Sequence, residues 1–366
     1  MTTKTFEIAV LGGDGIGPEV CDEAVKLVRE IEPFLQDVSF QLTSHSVGVG
    51  EYQRSGNALP ESTFEACRES DAVLLGAMGL PNVRYPNGKE IAPQLDLRER
   101  LQLFGGVRPI RLYHEADTPL KGYGTGGIDF VIVRESTEGL FSGRDAVADL
   151  EAEESTNLLR ISRRGTERVC RMAFEVARQR DQDKRVALID KANVLSSMVY
   201  MRHFFDEVAK EFPDCEAQHV YVDASTLFLV QRPNSFDVMV TENMFGDILS
   251  DLAAGLVGGM GMAPSGDIGA DAAVFQPSHG SAPDIAGQGI ANPVAMILSA
   301  AMMLDWLESP ETKRAAQAIR DAVQSVFTDT ASRTRDMGGK MSTSEMGAAI
   351  CSATVRHLSA ENTAAS

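Results

Sequence analysis

Short apolar runs alternate with stretches of helical periodicity along most of this chain. Residues 8–11, 72–75, 130–133, 186–189, 219–222 and 238–241 read as strands. Residues 19–32, 165–181, 197–211 and 293–308 read as helices, each longer than ten residues. Strands alternating with helices of that length predict an α/β fold with a largely parallel sheet. The most apolar stretch, ANPVAMILSAAMMLDWL, is interrupted by Pro293 and Asp305 and reads as a buried helix, not a membrane span. Two glycine-rich stretches break the pattern. KGYGTGG (121–127) precedes a strand, and GLVGGMGMAPSGDIG (255–269) reads as a long flexible connection. The polar SAENTAAS at the C-terminus reads as a frayed tail.

The first strand runs into EIAVLGGDGIGPEV, the outline of a nucleotide-binding turn. A G-x-G-x-x-G turn needs a third glycine three residues after the second. Gly13 and Gly15 give the first pair, but position 18 is Pro18, which suits the first turn of a helix. The segment reads as a strand, a tight turn and a helix whose glycines answer to backbone geometry, with a dinucleotide turn as the alternative.

A length of 366 residues suggests two domains. The net charge of −18, from 52 acidic and 34 basic residues, repels nucleic acid and anionic lipid. An anionic substrate would therefore need local arginines. The five cysteines are scattered and lack CxxC spacing, which fits structural thiols in a reducing compartment. The N-terminal MTTKTFEIAV has no signal-peptide pattern, so the cytoplasm is the expected location.

Chemistry concentrates in a few segments. In TENMFGDILSDL, Asp247 and Asp251 are four apart in a helical pattern, which sets two carboxylates on one face. Such a pair is either a solvated acidic face or a site for a hard divalent cation, Mg²⁺ or Mn²⁺. VYVDAS offers Asp223, read as the end of a strand, as a third ligand. Lys191 comes just after a strand in IDKANVL; it is either a surface charge or, near a metal, a proton-transfer group, with Asn193 available to a substrate or cofactor amide. Arg98, Arg108 and Arg134 each lie near an element boundary and would bind carboxylates if they converge. FQPSHGSAPDIAGQGIANP (275–293) is too rich in Gly, Ala, Ser and Pro for a regular element and reads as a shaped loop able to cradle a nucleotide.

Six motifs in order, LRERLQLFGGVRP, VIVRESTEGLF, IDKANVL, VDAS, TENMFGDILSDL and HGSAPDIAGQGIANP, carry a resemblance over nearly the whole chain. The chain resembles the β-decarboxylating dehydrogenases of (R)-hydroxyacids, the isopropylmalate and isocitrate dehydrogenase family. The resemblance implies an isopropylmalate dehydrogenase-like two-domain α/β fold, non-Rossmann, with a largely parallel sheet and flanking helices. One domain would combine residues 1–103 and 258–366; residues 104–257 would form the second, with the substrate, metal and dimer interface. The early glycine turn would line the cleft near the nicotinamide and leave the pyrophosphate alone.

The resemblance also assigns roles. Arg98, Arg108 and Arg134 would grip the malate carboxylates, with Leu95 beside the 3-substituent. Asp247 and Asp251 would hold Mg²⁺ or Mn²⁺ together with Asp223, supplied by the other subunit of a homodimer. Lys191, also from the neighbour, would act with Asp223 in taking the hydroxyl proton. The adenosine half of NAD would sit on His279, Gly280, Ser281, Ala282, Asp284 and Ile285, with Asn292 beyond, and Asp284 would favour NAD over NADP. The expected reaction is NAD- and metal-dependent oxidation, with decarboxylation, of a 3-substituted (R)-malate. Three departures stand out: Phe141 where the family usually has a proton-donating tyrosine, Gln276 where it commonly has glutamate, and Gln94–Leu95 where isopropylmalate enzymes have a leucine pair. 3-Isopropylmalate is the leading candidate substrate. Tartrate, D-malate and homoisocitrate are alternatives, as is a non-catalytic paralogue that binds nucleotide or carboxylate.

Overall fold

The computed structural model describes residues 3–365. Ten strands form one sheet: β1 (Lys4–Gly13), β2 (Val38–Ser44), β3 (Ala72–Ala77), β4 (Gly105–Arg111), β5 (Asp129–Glu135), β6 (Arg185–Asp190), β7 (Glu216–Tyr221), β8 (Val238–Thr241), β9 (Pro264–Ile268) and β10 (Ala273–Pro277). Their order is β2-β1-β3-β10-β9-β4-β5-β8-β6-β7. Pairing is parallel at both ends of the sheet. It is antiparallel only in the middle, at β10–β9, β9–β4 and β4–β5. The helices are α1 (Gly17–Ile31), α2 (Val49–Ser55), α3 (Glu61–Glu69), α4 (Pro93–Arg100), α5 (Arg163–Arg180), α6 (Ser196–Ala209), α7 (Val222–Gln231), α8 (Asn243–Gly255), α9 (Val294–Trp306), α10 (Pro310–Val326) and α11 (Thr343–Ala365).

Apolar clusters lie on both faces of the sheet, which is why strands such as β3 read as unbroken apolar runs. One set joins β1, α1, α9 and α10; others join β5, β6 and β8 to α5 and α6 on one side and to α8 on the other. Helix α9 is buried nearly all round, as its lack of charge before Asp305 implies. No helix among the described residues is long and apolar enough to cross a membrane.

The opening glycines have a packing reason. Gly13 and Gly15 have φ of +77° and +59°. A Cβ on Gly13 would lie 2.1 Å from the Ala77 carbonyl, and one on Gly15 would lie 2.0 Å from that of Ser281. Ile16 N also donates to Ser281 O at 2.8 Å. The turn is filled by protein backbone where a Rossmann turn would receive a pyrophosphate.

Three expectations need correction. The segment 255–269 is not one flexible connection: it contains β9, buried at the centre of the sheet, because the pairing of β9 with β10 and β4 satisfies its backbone. The irregular stretch starting at Phe275 begins inside β10, which is fully buried; the loop starts only after Pro277. The polar C-terminal segment continues α11 as far as Ala365, in keeping with its alanines.

Candidate active site

A cleft of about 590 Å³ lies beside the antiparallel centre of the sheet. Arg98 reaches it from α4, Arg108 from β4, Arg134 from β5 and Asp247 from α8. The strand register explains how two of these meet. Arg134 pairs with Gly106, and Arg108 is two residues along the same strand as Gly106, so both arginines stand on one face of the sheet. Gly106 has no side chain to stand between them.

All three guanidinium groups are buried, Arg134 to 2 % exposure. Arg98 Nε donates to Asp267 Oδ2 at 2.9 Å. Arg108 Nη1 donates to Ser250 Oγ and lies 3.7 Å from Asp247 Oδ1, while its Nε is buried without a hydrogen-bond partner among the described residues. Arg134 donates to Asn243 Oδ1 through Nη2 at 2.6 Å and through Nε at 3.0 Å, and its Nη1 pairs with Asp247. Burial, and then the neighbouring guanidiniums, push Arg134 down to about 9 and Arg108 below its ordinary value. Arg134 is still charged at neutral pH. Three crowded guanidiniums share two carboxylates, Asp267 and Asp247, which leaves N–H donors in the cleft able to pair with further anionic oxygens.

Asp251 lies one helical turn beyond Asp247 on α8 and is exposed. Partial burial raises its carboxyl above the usual range, Arg108 opposes this, and Asp247 adds to it. Like charges at this spacing are held together here by the arginines on β4 and β5. Among the described residues no group of three or more His, Cys, Asp or Glu side chains is placed to hold a metal ion. Asp223 is therefore not gathered with Asp247 and Asp251 within one chain.

Asp223 also differs from its reading as a strand end. Strand β7 stops at Tyr221, and Asp223 is in the first turn of α7, where a carboxylate suits the helix dipole. Its Oδ1 accepts from Lys191 Nζ at 2.6 Å, a bond that lowers its pKa. Lys191 directly succeeds β6, as read from the sequence. Neither residue lines the cleft.

The loop after β10 closes another side. His279 and Gly280 line the cleft. The Nε2 of His279 and the Oγ of Ser278 are buried without hydrogen-bond partners among the described residues, and burial lowers the His279 pKa. A Cβ on Gly280 would meet nothing within 4 Å. Ser281 is buried, with its Oγ on the Gly79 carbonyl; Ala282 and Ile285 pack on the core beneath the loop; Asp284 is exposed. Asn292 is buried below it, donating to Asp336 Oδ2 at 3.1 Å and accepting from Val294 N at 3.1 Å.

Leu95 and Phe141 line the cleft, and the Phe141 ring centroid lies 5.2 Å from Arg134 Cζ. Sequence reasoning missed Asn243, Ser250 and Asp267. Asn243 is one turn before Asp247 and on its face, a signal that was available. Asp267 lay hidden in the glycine-rich stretch.

Residues 7–350 match the family model described as isocitrate/isopropylmalate dehydrogenase. The chain is 41 % identical over 358 residues to 3-isopropylmalate dehydrogenase of Zymomonas mobilis, covering 95 % of this chain and 99 % of that protein. It is 45 % identical over 333 residues to 3-isopropylmalate dehydrogenase of Moorella thermoacetica, covering 88 % and 90 %. Among solved structures, isocitrate dehydrogenase from Methylococcus capsulatus superposes with a TM-score of 0.85 at 37 % identity, covering 95 % of this chain and 99 % of that one. A β-decarboxylating dehydrogenase from Thermococcus kodakarensis, in its apo form, gives 0.80 at 36 % identity, with 97 % of both chains covered. With the converging arginines in the cleft and the same fold throughout, the chain belongs to the isocitrate/isopropylmalate dehydrogenase family and is a hydroxyacid dehydrogenase.

Proposed function

We infer that this protein oxidises and decarboxylates a 3-substituted (R)-malate with NAD and a divalent cation, 3-isopropylmalate being the leading substrate. The observation that carries this reading is the convergence of Arg98, Arg108 and Arg134 with Asp247 in one cleft, beside a loop with unpaired buried polar atoms.

The arginines bind the two malate carboxylates by paired N–H donors. Leu95, Met78 and Phe141, in the same cleft, give the 3-substituent an apolar wall. Asp247 and Asp251 offer hard oxygen ligands suited to Mg²⁺ or Mn²⁺. Such an ion, when bound, polarises the C2 oxygen and stabilises negative charge there during loss of CO₂. The unpaired His279 Nε2 and Ser278 Oγ suit a polar ligand, and the loop through Gly280, Ser281, Ala282, Asp284 and Ile285, with Asn292 below, takes the adenosine half of NAD. NAD supplies a hydride acceptor at C2. Lys191, paired with Asp223, takes the hydroxyl proton as the neutral amine, after passing its own proton to Asp223 or to solvent.

Those two residues serve the cleft of a second copy in a homodimer. Exposed apolar side chains on the elements around them support this: Val199 and Tyr200 on α6, Leu227 and Val230 on α7, and Ile248 on α8 beside the aspartates. The separate apolar cores support the division into 1–103 with 258–366 and 104–257. The five unpaired cysteines suit a cytoplasmic enzyme. The test is initial-rate NADH formation over a panel of 3-substituted (R)-malates, tartrate and homoisocitrate with Mn²⁺. Saturable turnover of 3-isopropylmalate above the others is expected, and absence of turnover across the panel would contradict the reading.

A further inference from the structure

Gln276 and Asp267 form a unit that the proposed chemistry leaves unused. Asp267 lies on β9 and is 1 % exposed. A single oxygen, Oδ2, accepts from Arg98 Nε at 2.9 Å and from Gln276 Nε2 at 2.6 Å. The other, Oδ1, is buried without a hydrogen-bond partner among the described residues. A carboxylate this deep is costly unless it is paired and hydrogen-bonded. Its surroundings are cut to fit it: a Cβ on Gly106, the residue opposite Asp267 on β4, would lie 3.3 Å from Oδ1 and 2.9 Å from Ser136 Oγ.

The geometry bears on Arg98. Asp267 grips it through Nε, the nitrogen nearest the stem. The two terminal nitrogens have no hydrogen-bond partner among the described residues, and Arg98 lines the cleft. Gln276 lines the cleft too, from β10. It contributes a neutral donor to the same oxygen that binds Arg98. A glutamate of the same shape would lose that donor and set a second carboxylate against a buried one.

We propose that Asp267 is the positioning residue that aims Arg98 at the substrate carboxylate, and that Gln276 is an amide because it shares Asp267. The proposal rests on Arg98 binding substrate. The unit needs one carboxylate and one amide between two positions, so moving the charge from one to the other is tolerated better than doubling or removing it.

The experiment compares wild type, Asp267→Asn, Gln276→Glu and the double variant as intact enzyme. KM for the hydroxyacid, KM for NAD and kcat are measured for each, and (R)-malate binding is measured by calorimetry. Each single change should raise the hydroxyacid KM and the malate Kd by about tenfold, with a smaller effect on KM for NAD; the double variant should recover much of the loss, the signature of two coupled sites. Losses that simply multiply in the double variant would overturn the proposal. So would equal losses in both KM values and kcat, which mark general damage to the fold. Absence of turnover by the wild type would count against the function, whereas the malate comparison still decides the role of Asp267. A wild type that binds no malate would overturn both.

Discussion

Replacing Phe141 with tyrosine should supply a proton donor that this cleft lacks at that position. The ring lines the cleft, with the Arg134 guanidinium carbon 5.2 Å from its centroid. Arg134, at about 9, is charged at neutral pH. A positive charge about 5 Å away is worth about 3 kcal/mol at an effective dielectric of 20, on the order of two pKa units. The open cleft admits water and Asp247 offsets part of that charge, so about one unit is the better expectation, which brings a phenol from about 10 to about 9. Such a group is protonated at pH 7 and a stronger acid than free tyrosine. A positioned general acid contributes about 10²–10⁴-fold to its own step. That gain becomes visible where enolate protonation lags behind oxidation, as the phenyl ring implies. The assay is the ratio of CO₂ to NADH in early turnovers, with hydrazine trapping any undecarboxylated oxo acid. The ratio should start below one and rise toward one in Phe141→Tyr, and the advantage should fade above about pH 9, where a phenolate has no proton to give. A wild-type ratio of one, unchanged in the variant and with no undecarboxylated oxo acid among the trapped hydrazones, would show that another group already donates the proton.

The same cleft sets other outcomes. Asp247→Asn should lower kcat/KM by at least the ~10–100-fold that loss of even an outer metal partner costs, and wild type stripped by EDTA should be inactive until Mn²⁺ is restored; a full rate in metal-free enzyme would remove the metal assignment. Because Asp284 is exposed, its repulsion of the 2′-phosphate of NADP should be about 1–4 kcal/mol; kcat/KM favouring NADP would exclude that role. Co-refolded Lys191→Ala and Asp251→Asn chains, each inactive alone, should regain part of the activity, because one site of the heterodimer has both residues intact. Verified heterodimers without activity would put all catalytic groups on one chain.

Five of the six strands legible in the sequence are buried on both faces; the sixth, read at 219–222, falls on the exposed edge strand β7, which ends at Tyr221. Runs such as Val238–Thr241 have no polar residue before their end and carry their own signal. The antiparallel centre did not. Strand β4 contains two glycines, two arginines and a proline, and β9 reads PSGDI; both are strands because their neighbours pair with them, a tertiary effect that local pattern does not encode. The chemistry was legible in kind. The arginines, the Asp247/Asp251 pair and the loop after β10 were all recognisable by residue type. Their convergence was not, because the meeting of Arg108 with Arg134 depends on strand register. Asp267 escaped for the same reason: one buried carboxylate in a glycine-rich stretch has meaning only beside Arg98, far away in sequence.

On the proposed function, this cleft removes a hydride and CO₂ from a 3-substituted (R)-malate. The most direct measurement is the mass of the product formed from 3-isopropylmalate with NAD and Mn²⁺, beside an EDTA control. The expected product is a 2-oxo acid one carboxyl group smaller than the oxidised substrate, matching the NADH formed once the reaction is complete and absent from the control. Unchanged substrate with the enzyme folded and metal and NAD present, or full product formation in EDTA, would contradict it.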